Sequence, residues 1–182
     1  MVIETERLLL KSPQPEFAEA CAAYYKRNKT FLSLYEPKRE ASFYEPAHHL
    51  GILADEMKQM HNQTMAPFYI FRKEEPEKVI GKINLNNIVW GAFCSCFLGY
   101  KMDENYINQG YMTEATKAVV KYAFEDLGLH RIEGNVMPRN ERSLRVLEKC
   151  GFQSEGIAEK YLKINGVWED HVHMVIHNHA ME

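Results

Sequence analysis

The chain has 182 residues, 26% of them charged, and a formal net charge of −3. It therefore lacks the bulk positive field that attracts nucleic acid or an anionic membrane. No apolar run reaches the roughly 18 residues that a membrane span needs, and charged residues stand where a secretory signal would carry its apolar segment. We expect one globular domain over residues 1–182, cytoplasmic, with no direct nucleic-acid or membrane partner.

The N-terminal third predicts one strand, two helices and an irregular connection. The strand covers residues 6–11, and an alanine-rich helix follows Pro15 to about residue 27. A second helix covers residues 47–61, and its apolar stripe is formed by Leu50, Leu53, Met57 and Met60.

The connection between these helices, residues 28–46, carries four aromatic side chains: Phe31, Tyr35, Phe43 and Tyr44. A long connection inside a compact domain is more often functional than idle. We expect it to help wall a substrate cleft, and the alternative is simple packing under a loop.

Three strands are predicted next. Residues 68–73 and 79–90 flank a short charged turn and predict an antiparallel hairpin. Residues 93–102 form a further strand, in which Gly99 marks a bulge or a close backbone approach. This strand includes Cys94 and Cys96, which would face the same way. The spacing of the four cysteines fits neither zinc nor a disulfide framework, so we expect reduced, mostly buried thiols.

Residues 105–128 form the most informative stretch of the sequence. Five apolar residues would share one face of a helix: Met112, Ala115, Val119, Ala123 and Leu127. Gly128 stands where a left-handed cap would end that helix, and Gly110 lies in the polar turn before it. A glycine turn at a helix start exposes backbone N–H groups and suits phosphate. The pattern is weak alone, because many helices begin after a glycine and bind nothing.

The last third predicts a strand over residues 130–138, a helix over residues 140–150 and two final strands. Asn165-Gly166 joins these strands and is a strong signal for a two-residue hairpin. The predicted class is α+β or mixed α/β, with a largely antiparallel sheet flanked by helices.

Three segments, in this order, resemble the GNAT superfamily of acetyl-CoA-dependent N-acetyltransferases. They are LGYKMDENYINQGYMTEA from Leu98, HRIEGNVMPRNERSLRVLEKCGFQSEG from His130 and YLKINGVWEDHV from Tyr161. The resemblance is closest to the RimJ/RimL branch, which acetylates N-terminal amines of ribosomal proteins. It covers residues 98–172, whereas the N-terminal third matches mainly in layout. It implies the GNAT fold, acetyl-CoA as cosubstrate and an amine acceptor.

The resemblance also implies how acetyl-CoA is held. Its pantetheine would pair with a bulged strand that begins to splay at Gly99, and its pyrophosphate would meet the amides of the glycine turn. The implied cofactor-binding residues are Leu98, Gly99, Tyr100, Lys101, Met102, Asn108, Gln109, Gly110, Tyr111, Met112, Thr113, Asn140 and Ser143. The family turn opens with Arg or Gln and ends with Gly or Ala, where this chain has Ile107 and Met112. Binding would therefore lean on the backbone, with Gln109 as one polar contact.

Ser143 and Glu133 are the candidate catalytic residues. Ser143 shares a helix face with Val146, Leu147 and Cys150, and the resemblance places its hydroxyl near the CoA sulfur. It would hydrogen-bond the leaving thiolate. Asn140 is equally well explained as a helix N-cap. A related branch uses a glutamate where this chain has Asn135, which cannot act as a base. Glu133 points to the same side, and its alternative role is an ion pair with Arg131 or a lysine.

The final hairpin supplies the candidate acceptor contacts by resemblance: Tyr161, Trp168, Asp170 and His171. His171, His173, His177 and His179 share one parity, but no companion cluster accompanies them, so we expect no metal.

These features predict transfer of acetyl from acetyl-CoA to a primary amine, most simply a ribosomal-protein N-terminus, by a monomer or homodimer. A small amine such as an amino acid or polyamine is an alternative acceptor. A non-catalytic acyl-CoA-binding module is the alternative from another class, favoured by Ile107 and Asn135. A nucleotide-phosphate binder is weaker, because no parallel βαβ fingerprint precedes the turn.

Overall fold

The computed structural model describes residues 1–37 and 39–182. One eight-stranded sheet organises them, in the order β1-β2-β3-β4-β5-β6-β8-β7. The strands are β1 Val2–Glu4, β2 Leu8–Lys11, β3 Ala66–Arg72, β4 Glu75–Val89, β5 Ser95–Met102, β6 Arg131–Val136, β7 Gln153–Ile164 and β8 Val167–His177. The helices are α1 Ala18–Arg27, α2 Lys29–Leu32, α3 Pro46–His61, α4 Tyr111–Glu125 and α5 Glu141–Lys149. Short 3₁₀ turns occupy Pro15–Phe17, Ala41–Tyr44, Glu104–Tyr106 and His179–Met181. The predicted mixed α/β class, with a mostly antiparallel sheet and flanking helices, is confirmed.

The sheet is antiparallel except where β5 and β6 meet. These two strands run parallel and pair only from Ser95 with Arg131 to Phe97 with Glu133. Beyond that point β5 continues along β4, and β6 continues along β8. The two strands therefore splay apart from Leu98 onward, and a notch opens in the middle of the sheet.

Strand alternation places a separate core on each face of the sheet. On one face, Ile83, Leu98 and Ile132 pack with Val119 of α4 and Leu147 of α5 in the larger cluster. On the other face, Tyr69, Phe71 and Val79 pack with Cys21 of α1 and Leu53 of α3. The strand residues of the second cluster come only from β2, β3 and β4, so this cluster does not cover the sheet around the notch.

Three local predictions are corrected by the structure. The first strand was placed at residues 6–11, but β1 and β2 form a small hairpin, because Val2–Glu4 pair with residues 9–11. Of the two alternatives given for Gly99, the close backbone approach stays a prediction. The bulge is wrong, because β5 stays in register across Gly99 and the irregularity lies in β4 between Asn86 and Val89. The extra residue is accommodated there by Asn87, whose φ is +49°.

The third correction concerns the stripe of α3. Leu50 and Met57 are 48% and 42% exposed, whereas His49 and Glu56 are buried. Glu56 turns inward because the sheet supplies partners: the Tyr69 hydroxyl donates to it at 2.8 Å, and the Lys82 ammonium pairs with it. Apolarity of the helix sequence alone carries no information about those partners.

Candidate functional site

A cavity of about 490 Å³ fills the notch between β5 and β6. One wall is the edge of β5 from Leu98 to Met102, and the other runs from Gly134 to Met137. Backbone groups alternate in direction along a strand, and the Asp103 amide donates to Ile80 on β4. By that alternation the amides of Leu98, Tyr100 and Met102 point away from β4 into the notch, where an extended ligand can pair with them.

The turn before α4 closes one end of this cleft. Asn108 and Gly110 have φ of +59° and +81°, and α4 begins immediately afterwards with no side-chain cap on its first amides. Asn108, Gly110, Tyr111, Met112 and Thr113 all line the cleft. Free N–H donors and the positive end of a fifteen-residue helix together make this an anion site.

Two residues of the turn, Ile107 and Gln109, offer no side-chain donor to the cleft. Gln109 is not among the lining residues, and its side-chain amide donates to the Asn105 carbonyl at 2.9 Å. Ile107 lines the cleft but offers no donor, and it packs against the larger core cluster. The turn therefore presents backbone rather than side-chain donors.

Ser143 and Tyr100 meet across the cleft. The hydroxyl of Tyr100 lies 2.9 Å from Ser143 Oγ, with either oxygen able to donate, and it also donates to the Ser143 carbonyl at 3.2 Å. Burial raises the pKa of Tyr100 well above its ordinary value, so the phenol stays protonated. Asn140 caps α5 by accepting from the Ser143 amide at 3.3 Å, as its sequence position predicted. The cap fixes the first turn of α5 and with it the hydroxyl of Ser143.

Three cations on α5 also line the cleft: Arg142, Arg145 and Lys149. Their spacing of three and four residues puts them on one side of the helix. These cations were not among the residues predicted from the sequence, although their spacing is a signal that the sequence contains. Arg142 lies 5.8 Å from the ring of Phe31, at the other end of the cleft. Arg145 and Lys149 add positive charge that suits phosphate.

The opposite end of the cleft is walled by Phe31, Tyr35 and Glu36 from the connection after α1, with Leu162 and Ile164 from β7 facing them. The prediction that aromatics of this connection line a cleft is thus confirmed for two of the four. Phe43 is buried, and it contacts Tyr25, Tyr44, His48 and His49 instead.

The β7–β8 turn ties this end together. Asn165, at φ +49°, donates through its side-chain amide to the carbonyls of Ser33 and Glu36 at 3.0 and 3.2 Å. This tie joins segments about 130 residues apart, and it holds the aromatic connection against the hairpin.

The predicted acceptor residues separate in the structure. His171 is buried and lines the cleft, and its Nδ1 lies 3.0 Å from the Glu169 carbonyl. Since a carbonyl accepts, that nitrogen carries the proton. Tyr161, Trp168 and Asp170 are not lining residues. The Tyr161 ring packs on His171, Trp168 is 57% exposed, and Asp170 accepts from the Lys160 amide at 2.8 Å.

Glu133 also lies outside the lining residues. Its carboxylate contacts Arg131 at 2.9 Å and His173 Nδ1 at 2.7 Å. Asn135 does line the cleft, and its side-chain amide donates to the Tyr161 hydroxyl at 3.3 Å. Glu133 is thus separated from the cleft, and a proton could reach it from there only through neighbouring side chains.

A splayed mixed sheet with a free strand edge, next to a helix start that suits phosphate, is an arrangement that an acyl-CoA-dependent acyltransferase can use. The chain belongs to the GNAT acetyltransferases, since the Acetyltransferase (GNAT) domain family matches residues 7–153. It is an acetyl-CoA-dependent N-acetyltransferase.

Its relatives include a protein of Bacillus subtilis named probable N-acetyltransferase YjcK, 40% identical over 88% of each chain. A ribosomal protein uS5 alanine N-acetyltransferase of Escherichia coli is 35% identical over 93% of this chain and 87% of that one. Among solved structures, a ribosomal-protein-S5-alanine acetyltransferase from Vibrio fischeri has a TM-score of 0.94 at 32% identity, covering 100% of this chain and 99% of the other. Mycobacterium smegmatis RimJ in complex with CoA-disulfide has a TM-score of 0.88 at 25% identity, covering 96% and 83%.

Within residues 1–37 and 39–182, no helix is long and apolar enough to span a membrane. The same residues contain no group of three or more His, Cys, Asp or Glu side chains arranged to hold a metal.

Proposed function

We propose that the protein transfers acetyl from acetyl-CoA to the α-amine of a protein N-terminus, of the ribosomal-protein alanine type, in a ternary complex. The observation that carries this proposal is one continuous cleft, which runs from the start of α4 to the end walled by Phe31 and Tyr35. Relatives named as uS5 alanine acetyltransferases support the choice of acceptor.

The donor half of the cleft fits acetyl-CoA by its donor set. The pyrophosphate would meet the amides from Asn108 to Thr113, with Arg145 and Lys149 beside it. The pantetheine would lie along the edge of β5 and pair with the amides of Leu98 and Met102. The thioester would then reach Ser143, where β5 and β6 have separated.

Acetyl-CoA supplies the electrophilic carbonyl that the amine attacks. The amine must lose a proton as the new C–N bond forms, and the C–S bond then breaks to release a thiolate. The Ser143 and Tyr100 hydroxyls would hydrogen-bond that sulfur. The alcohol of serine is a poor acid, so stabilisation is a better role for Ser143 than full proton donation.

We propose two candidates for the base: Glu133, which does not line the cleft, and His171, which does. Glu133 would act through His173, which it contacts directly. His171 lines the cleft, with Nδ1 bonded to a carbonyl, so its Nε2 is free to accept a proton. The pH dependence of kcat/KM is measured for Glu133→Gln and for His171→Gln. The variant that lacks the true base should lose the acid limb of this profile. An unchanged profile in Glu133→Gln would make Glu133 structural.

The decisive experiment offers acetyl-CoA with a panel of acceptors: peptides beginning with alanine, the same peptides blocked at the N-terminus, free amino acids and polyamines. Product mass and release of CoA thiol are measured. We expect turnover only with the free alanine peptides. Transfer to small amines alone would favour the small-amine acceptor, and CoA binding without transfer would favour a binding module.

A further inference from the structure

Arg7 lies between β1 and β2, more than a hundred residues before the glycine turn, yet its side chain reaches the back of that turn. Its Nη1 donates to the Gln109 carbonyl at 3.0 Å, and its guanidinium carbon lies 4.3 Å from the centre of the Tyr111 ring. A Cβ on Gly110 would stand only 3.3 Å from Arg7 Nη2. The guanidinium therefore packs against three successive residues of the turn.

Glu114, in the first turn of α4, holds this arginine in place. It accepts from Arg7 Nε at 2.7 Å, from the Arg7 amide at 2.8 Å and from the Thr5 hydroxyl at 2.6 Å. Burial alone would raise the pKa of Glu114, but the hydrogen bonds from Thr5 and Arg7 lower it overall. The ion pair thus fastens the β1–β2 connection to the start of α4.

The arrangement has a direction. Arg7 is not among the residues that line the cleft, so it contacts the turn from the side away from the ligand. A peptide group whose carbonyl points toward Arg7 directs its N–H the opposite way. Fixing the Gln109 carbonyl outward therefore turns the next amide, that of Gly110, toward the cleft. The Ile107 side chain supplies no donor, so phosphate binding at the turn depends on the direction of the backbone amides.

We propose that Arg7 is a positioning residue for the diphosphate of the cosubstrate: its guanidinium fixes the direction of the amides of the 108–113 turn. This inference rests on the proposed function, because it assumes that the turn binds the diphosphate of CoA. Glu114 serves it by locking the guanidinium, and Gly110 by leaving room for it.

The test uses two probes that share the thiol end and differ in phosphate: CoA and pantetheine. Affinities are measured by calorimetry for the unaltered protein and for Arg7→Ala. We expect CoA to bind at least about tenfold more weakly to the variant, in line with loss of a charge-assisted hydrogen bond. The affinity for pantetheine should stay within about twofold. Arg72→Ala is the matched control: Arg72 also lies near the Tyr111 ring, at 5.9 Å, but pairs with Glu74 and Glu75.

Arg7→Lys and Glu114→Gln guard against a variant that simply unfolds. Lysine keeps the charge but loses the fork, so its loss of CoA affinity should be smaller than that of alanine. Glutamine weakens the lock and should show the same selectivity for CoA over pantetheine. Unchanged CoA affinity in all three variants, or equal weakening of both probes, would overturn the positioning role while the proposed function stands. Failure of the unaltered protein to bind CoA would remove the proposed function and this inference together.

Discussion

The two ends of the cleft are built in different ways. The donor end is made of short contiguous segments, residues 98–113 and 134–149, each of which carries its own strand edge or helix start. The other end, which we propose takes the acceptor and call the acceptor end, brings residues 31–36 against the β7–β8 hairpin, and Asn165 holds the two together. The donor end is thus built mainly on local chain geometry, with Arg7 as a long-range contact behind its turn, whereas the acceptor end is brought together by the long-range tie of Asn165. Substitutions should separate the two.

The largest effect is expected where the two ends are joined. Arg27, at the end of α1, donates through Nε to the fully buried Asp103 after β5 at 2.5 Å. Arg27→Ala leaves that carboxylate uncompensated, and we expect it to lower the free energy of unfolding by about 3 kcal/mol. Urea denaturation measures this. Lys26→Ala is the control, since its exposed pair with Glu45 spans 3.8 Å and should contribute under about 1 kcal/mol. Equal losses would show that Asp103 does not depend on Arg27.

The next effect concerns the donor end alone. Ser143→Ala removes the hydroxyl that we propose bonds the leaving sulfur, and we expect kcat to fall about a hundredfold, as for loss of one preorganised donor. The Kd for CoA should change much less. Tyr100→Phe is the companion variant, because it keeps the ring and removes only the hydroxyl, with its bonds to Ser143 Oγ and to the Ser143 carbonyl. Stopped-flow turnover and calorimetry give both quantities. A rate unchanged in Ser143→Ala would end its catalytic assignment.

The same contrast explains what could be predicted from sequence. The helix start at Gly110, the cap at Asn140 and the hairpin at Asn165-Gly166 are signalled by neighbouring residues, and the structure has all three. Glu56 turning inward on α3, and Arg7 reaching Gln109, depend on partners far along the chain. No local pattern indicates such partners, so the predicted stripe of α3 is wrong and Arg7 was not singled out.

The acceptor end gives a smaller, selective effect. Asn165→Gly keeps a residue that tolerates the left-handed backbone of the turn but removes the amide that bonds Ser33 and Glu36. We expect the KM for the acceptor peptide to rise about tenfold, the cost of one or two hydrogen bonds, with CoA affinity unchanged. Asn165→Asp, which keeps the shape but loses the donor, should behave alike. A KM unaltered in both variants would show that the tie plays no part in acceptor binding.

The smallest expected effect concerns the Arg27–Asp103 ion pair and how the free energy of unfolding depends on pH. Burial alone would raise the pKa of Asp103, but hydrogen bonds from the Asn105 amide and Arg27 lower it below its ordinary value. A carboxyl whose folded pKa is depressed stabilises the fold above its unfolded pKa, and this contribution is lost as pH falls through the folded value. The unaltered protein should therefore keep the contribution at neutral pH and lose it progressively below about pH 4. In Arg27→Ala the depression shrinks, so the Asp103 contribution to acid sensitivity shrinks with it. Urea midpoints measured from neutral to acid pH should converge for the two proteins at low pH. Parallel curves would place the acid-sensitive group elsewhere than the Arg27–Asp103 joint.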